Sequence, residues 1–410
     1  MTSTPRPTQQ RANATAARNA VALVFGLNGF CFATLASRVP DLRESLDVSN
    51  GALGALLLSI AIGSMAGMPA SGHLIERWGA GAVVRLGAGV DLGGLIVVGA
   101  MVTAGSASGT ALGLLAYGFG TGVWDVAMNV DGAAVERELG RSIMPRFHAC
   151  WSLGTFTGAG VGALAAGLGV PLSVHYAVVP ALAVSTAVLA SRRLLPAGDG
   201  EDQPQTASVS SAWLEPRTLA IGFMVLAFTL AEGAANDWLA LSLVDGYGAR
   251  HWVGVLGFAL FVAAMTLGRL GGPVVLDRFG RAPVMLASAA AATTGVVVVV
   301  WTGVAALAIV GIVLWGLGAA LGFPVGMSAA GDDPGRAARR VSVISTIGYG
   351  AFLGGPPLVG FVGDHVGTLR SLLVIAIAMV PAAVLVTSVR RPRARLADGR
   401  SGGRRPHDDL

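Results

Sequence analysis

The chain has 410 residues, 53% of them hydrophobic and 12% charged, with a mean hydropathy of +0.68. A soluble chain of this length needs far more charge to cover its surface, so these values exclude a soluble globular protein. The net charge of +5 comes from Arg alone on the basic side, with no Lys, and the Arg residues gather at the ends of apolar segments, which is a topology signal and not a nucleic-acid signal.

Met1 to Arg18 is polar, and no small-residue cleavage site follows a short apolar run, so no signal peptide is expected. A helix rises 1.5 Å per residue, so about 20 apolar residues cross the hydrocarbon core. Segments of that kind fall near 19–37, 52–75, 83–104, 110–135, 147–169, 171–191, 218–243, 252–275, 283–302, 305–330, 342–363 and 371–389. Two of the boundaries need an argument. Arg281 and Asp332 enclose 50 residues with no acidic or basic side chain. As one helix they would run about 75 Å, more than twice the core thickness, so the chain must fold back, at Trp301-Thr302-Gly303. Arg146 and Arg192 enclose another long stretch, and there the turn falls at Gly169-Val170-Pro171, because Pro opens a helix well and interrupts one badly.

With the N-terminus inside, most Arg side chains fall on the cytoplasmic side, and only Arg38, Arg43, Arg250 and Arg370 lie outside. That positive-inside asymmetry predicts two cytoplasmic termini and an inner (plasma) membrane protein. The expected organisation is a cytoplasmic tail at 1–17, a six-helix bundle at 18–191, a polar cytoplasmic linker at 192–216, a second six-helix bundle at 217–390 and a basic cytoplasmic tail at 391–410. Cys31 and Cys150 lie in apolar segments and read as free small hydrophobes, with no disulfide, metal or cofactor expected.

The two halves echo each other. Gly72, Glu76, Arg77 and Gly79 follow the second span, and Pro273, Asp277, Arg278, Gly280 and Arg281 follow the eighth, an offset of 278 − 77 = 201. Tyr117-Gly118-Phe119-Gly120 returns as Trp315-Gly316-Leu317-Gly318, offset 198, and Ser152-Leu153-Gly154 as Thr346-Ile347-Gly348, offset 194. Repeats in the same order imply two bundles of shared design with a substrate site between them at mid-membrane.

The acid-Arg-x-Gly loops resemble the signature loop of the major facilitator superfamily over about residues 18–390. The first copy departs from the usual pattern at Glu76 and at Ala80-Gly81, the second at Pro273. The resemblance implies an all-α membrane protein of twelve transmembrane helices in two pseudo-symmetric six-helix bundles, working as a monomer. Gly120 to Asn129, followed by Phe147, His148, Trp151, Ser152 and Gly154, is similar to the fucose-permease-like branch, as is Ser37-Arg38-Val39-Pro40-Asp41 to a bacterial group near it. That branch implies proton-coupled uptake of small sugars. The signature loops imply gating by Gly72, Glu76, Arg77, Asp277, Arg278 and Arg281, with Glu76 near the start of span eleven around Val341 and Asp277 near the start of span five around Arg146. A topology-setting charged loop is the plainer alternative.

A charge inside a span costs several kcal/mol, so each one demands a reason. On a 3.6-residue helix, Gly118, Gly122, Asp125, Asn129 and Gly132 share a stripe. Desolvation disfavours a charged carboxylate, which makes Asp125 a candidate proton carrier; the plainer alternative is a satisfied helix–helix hydrogen bond. Glu232 and Asn236 repeat the spacing in the seventh span, and Glu232 aligns with Asn28 in the first, since 232 − 28 = 204. The resemblance places the first, fourth and seventh helices around the cavity, so Asn28, Asp125, Asn129, Glu232 and Asn236 are expected to converge there. Asp125 and Glu232 are the proton-coupling candidates, and Trp151 and Trp238 the aromatics offered to a sugar face. Trp124, Phe323 and Tyr349 are weaker aromatic candidates. His148, at the cytoplasmic start of span five, is expected to take a capping or headgroup role, with a proton relay as the alternative, and Arg269 to pair with Glu136 or Asp131 or to reach the inner surface. Gly154, Gly158, Gly160 and Gly162 read as a packing seam. Two functions stand: a proton-coupled symporter of a small polar solute, or a proton-driven drug or metabolite exporter, since a fold does not choose between them. No nucleotide loop, metal-spaced cluster or nucleophile motif points to an enzyme.

Overall fold

A computed structural model describes residues 7–195 and 210–390. Part of the expected linker and the whole of the basic tail from 391 lie outside the described residues, as do residues 1–6 of the first tail.

Among the described residues, twelve helical rods fall into two sets of six, and within each set they follow one another through short connections. In the first half they are Pro7–Ala36, Asn50–Trp78, Ala80–Thr103, Ala107–Leu139, Met144–Gly167 and Leu172–Ser191. In the second half they are Pro216–Tyr247, His251–Phe279, Arg281–Trp301, Ala305–Ala330, Ala337–Val366 and Thr368–Val389. All but the fifth are long and apolar enough to cross a membrane by hydropathy; the fifth carries Arg146, His148 and Ser152. Because the rods alternate in direction, both ends of the described chain lie on one face, called here the terminal face. Ser49 and Ser106 start the second and fourth rods, their hydroxyls accepting from the backbone N–H of Ala52 and Gly109.

The expected turns are where the chain reverses. Gly303 takes φ +60 after the ninth rod and Gly169 takes φ +67 before the sixth, conformations that glycine reaches without steric penalty. Four details were not expected. The first helix begins at Pro7, well before residue 19. A short helix, Val39–Leu46, opens on Pro40 and buries Leu42 on the face opposite the termini. The seventh rod winds into a π segment at Ala235–Leu239, and the tenth is interrupted at Ala320-Leu321.

The internal repeat is carried by the backbone. The second and eighth rods are both 29 residues long, contain Pro69 and Pro273, and end on Gly79 at φ 77 and Gly280 at φ 79. In each half the third and fourth rods meet through glycine. A Cβ on Gly94 would sit 2.5 Å from the Tyr117 nitrogen, and one on Gly295 would collide with that of Trp315. Small residues allow such close backbone approach, which drives helix association in lipid. The expected seam on the fifth rod is formed by Gly154, Gly158 and Gly162 against the first rod, at Gly26, Phe30 and Ser37; Gly160 faces open space.

The two bundles are tied together at the terminal face. Arg339 donates to Glu76, with one bond of 2.9 Å. The Ser142 N–H donates to Asp277 at 2.8 Å, Ser342 donates to the Met68 carbonyl at 2.7 Å, and Arg137 donates to the Gly331 carbonyl. Ser328 donates to Glu136, whose other oxygen caps the fifth helix through the N–H groups of Ile143 and Met144, both at 2.8 Å. At the opposite face no side-chain hydrogen bond or ion pair joins the bundles among the described residues.

Candidate functional site

The fourth rod is 33 residues long, about 50 Å, and Asp125 lies near its middle, buried at 4% exposure. The Asn129 amide donates to the Asp125 backbone carbonyl at 2.9 Å, one turn away. That leaves the Asp125 carboxyl to face Tyr349 of the eleventh rod, with its Oδ2 lacking a hydrogen-bond partner. No basic side chain pairs with it among the described residues. The expected stripe divides: Cβ positions on Gly118 and Gly122 would press on Ile60 and Ser64 of the second rod, so these glycines admit a neighbouring helix.

The fifth rod is the hub of the site. His148, Trp151 and Ser152 stand at i, i+3 and i+4, one face of a helix, and each reaches a different element. His148 Nε2 meets Asn129 Oδ1 at 3.2 Å. Trp151 Nε1 donates to Asn28 Oδ1 of the first rod at 3.0 Å. Ser152 Oγ accepts from Arg269 of the eighth rod at 2.9 Å. His148 is therefore no headgroup cap: it is buried, with its ring edge-on to Phe25 and to Phe323 at 5.1 and 5.5 Å. Because the Asn129 amide nitrogen is spent on Asp125, its oxygen must accept, so His148 Nε2 carries the hydrogen.

Glu232 and Arg269 form a two-pronged ion pair at 3.1 and 2.9 Å. Their side chains are 14% and 4% exposed. Sequence reasoning had offered Glu136 or Asp131 for Arg269. Glu136 is instead held at the terminal face, and a snorkelling route to the surface is replaced by Glu232, Ser152 and the Ala320 carbonyl. Nη2 alone reaches both carboxylate oxygens, while Nη1 and Nε serve Ser152 and the Ala320 carbonyl, so one planar guanidinium holds three partners. Spacing within one helix finds neither this pair nor the His148 contact, because both depend on how separate rods are rotated.

Asn28, Asp125, Asn129, Trp151 and Glu232 thus gather around the fifth rod. Asn236 is exposed, beside Asp237 in the π segment, and no hydrogen bond or ion pair joins it to the others among the described residues. Trp238, half-buried, lies against Gly360 of the eleventh rod. Trp124 is fully buried against the third rod at Gly87 and lines no cavity. Of the signature-loop residues, Gly72 admits Ser342 and Arg339 closely, Glu76 meets Arg339, and Asp277 meets Ser142, two residues ahead of the fifth rod. Arg77 and Arg278 are exposed, the latter over the Phe279 ring, and take no part in the cross-bundle contacts. Arg281 is partly buried and binds Asp332 at 2.7 Å and Ser328 at 2.6 Å, with Glu136 at 3.7 Å.

The Major Facilitator Superfamily pattern matches residues 21–349 and, in an overlapping second match, 256–407. An uncharacterised MFS-type transporter of Yersinia pestis is 32% identical over 375 residues, spanning 90% of this chain and 94% of that protein. Membrane protein MosC of Rhizobium meliloti is 26% identical over 90% of this chain and 89% of its own length. Among solved structures, the transporter FucP in its outward conformation superposes with a TM-score of 0.77 at 14% identity, over 93% of this chain and all of FucP. A bacterial homologue of the iron transporter ferroportin, outward-facing, gives 0.74 at 13% identity, over 91% of this chain and 99% of its own. Twelve rods in two repeated bundles, a polar centre between them and these likenesses along nearly the whole sequence lead to one assignment: the chain belongs to the Major Facilitator Superfamily of membrane transporters.

Proposed function

We propose that this protein is a proton-coupled symporter that carries a small polar, sugar-like solute across the inner membrane by alternating access. In this reading it works as a monomer with both termini in the cytoplasm. The terminal face is then the cytoplasmic one, and the bundles, tied there and untied opposite, stand in an outward-facing form. One observation carries the reading: Asp125 is buried between bundles, has no cationic partner, and leaves one oxygen free. A carboxylate so placed is costly unless it takes a proton.

Solute hydroxyls entering from outside would meet Asn28 and Asn129, with Trp151 offering a face to the apolar edge of a ring. Glu232 is already balanced by Arg269, which leaves Asp125 as the group whose charge can change. Neutralising it and filling the cavity would let the Glu76–Arg339 and Asp277–Ser142 contacts release and the bundles rock inward. The similar folds include a fucose:proton symporter and a proton:xylose symporter. The test is uptake of a panel of labelled sugars and polyols into vesicles under an imposed inward proton gradient. Solute accumulation with co-moving protons supports the reading. Drug resistance on overexpression without any such uptake would overturn it in favour of export.

A further inference from the structure

A second buried acid lies behind the central cavity, inside the first bundle. Asp91, on the third rod, is 1% exposed. Thr121 of the fourth rod donates to its Oδ1 at 2.7 Å. Its Oδ2 has no hydrogen-bond partner, and neither has the Tyr117 hydroxyl one turn along the fourth rod. No basic side chain forms an ion pair with Asp91 among the described residues. The other titratable groups around it are the Cys31 thiol of the first rod and the Tyr117 phenol, with Tyr176 of the sixth rod beyond. None of these supplies a positive charge. An ionised carboxylate here would lack both a counter-charge and half of its hydrogen bonds, a combination that buried sites do not tolerate.

Helix packing does not require this acid. The second bundle builds the same crossing: a Cβ on Gly120 would collide with the Asp91 nitrogen, and one on Gly318 with that of Ala292. By the repeat offsets, 292 − 91 = 201 and 319 − 121 = 198, so Ala292 and Ala319 stand where the first bundle has Asp91 and Thr121. Both alanines are buried. Two methyl-sized residues therefore close the seam, and the carboxyl and hydroxyl are an addition to it.

We propose that Asp91, with Thr121 and Tyr117, is a second proton-binding site, held inside the first bundle and separate from the solute cavity. The proton resides on Oδ2, while Oδ1 accepts from Thr121. Only three side-chain oxygen groups converge there, too few for a metal cation that takes about six or more oxygens, so the ligand is the proton itself. Thr121 is one turn from Asp125 on the same rod, which places both acids on a single helix-borne track. The inference does not depend on which solute the protein carries.

The test is infrared spectroscopy of the purified full chain in lipid nanodiscs at neutral pH, before and after exchange into D2O. Wild type is expected to show the C=O stretch of a protonated carboxylic acid that shifts in D2O. Asp91→Asn removes a component of that band which Asp125→Asn retains, and this difference separates the site from the central one. An unchanged C=O region in Asp91→Asn, with loss of carboxylate intensity instead, would overturn the proposal. So would a band that never shifts in D2O, because a proton that does not exchange is a fixed structural hydrogen. Should Asp91→Asn fail to fold, Thr121→Val serves: the band must persist but move in frequency, and an unmoved band counts against the site.

Discussion

The two bundles share a skeleton and differ in what they bury. Prolines, helix-ending glycines and the glycine crossings recur at matching offsets in both halves. The acids buried in mid-span do not. The first bundle holds Asp91 and Asp125 without any cationic partner. The second holds Ala292 and Phe323 at the equivalent positions (125 + 198 = 323) and pairs its own acid, Glu232, with Arg269. The first bundle in turn has Asn28 and Met68 where the second has that ion pair (232 − 204 = 28; 269 − 201 = 68). Duplication fixed the rods and their seams; chemistry entered through departures from symmetry. In that division, the first bundle buries two mid-span acids with no cationic partner among the described residues, and the second balances its own acid with Arg269.

The strongest way to break this contrast is Asp125→Asn, which should abolish proton-driven accumulation while leaving solute exchange or binding measurable in vesicles. Normal accumulation against a gradient by that variant would end the assignment of Asp125 as carrier. Next is Arg269→Met, which strands Glu232 and should cost about 3–5 kcal/mol, the usual penalty for breaking a buried pair from one side. Adding Glu232→Asn, so that the second bundle wears the residues of the first, should restore most of that loss in thermal unfolding; no recovery would mean the pair is not the unit described. A smaller difference is expected in the seams. Gly154→Ala drives a methyl into the Gly26 carbonyl and should cost about 1–3 kcal/mol. Its repeat mate Gly348→Ala meets side chains and no backbone, Val225 at 2.9 Å and Phe323 at 3.4 Å, and should cost less. Equal losses would show that the seams are not distinguished by backbone contact.

The smallest effect concerns the start of the seventh rod. Burial pushes the Glu215 carboxyl up, but hydrogen bonds from Arg340 and Thr218, joined by the charge of Arg340, more than offset this and hold it below the usual range. A group lowered on folding adds stability above its unfolded value and loses it as pH falls through the folded one. Wild type should therefore lose melting temperature on acidification, and Glu215→Gln should flatten that acid limb. Parallel curves would remove Glu215 from the pH response.

Rod number, turns and repeat were legible in the sequence because hydropathy, Arg placement and glycine punctuation are local signals. Gly303 and Gly169 turned where spacing said they must. The partners of buried groups were not legible in the same way. His148 reads as a helix-start residue until the fourth rod brings Asn129 against it, and Arg269 finds Glu232 only through the rotation of two separate helices. Asn236 falls in a π segment, a change of winding that four-residue spacing along an α-helix does not anticipate. Asp91, an acid inside the third span, carries the same local signal as Asp125; what sets it apart comes from Thr121 and from the alanine at the repeated position.

One rod, the fifth, offers a histidine, an indole and a hydroxyl to three separate neighbours. A helix is stiff along its axis, so those three attachments cannot be loosened one at a time by sliding or twisting it. A cargo molecule that displaces Trp151 would nudge the acid-bearing helix and the arginine of the opposite half in the same movement, with no further messenger needed between them.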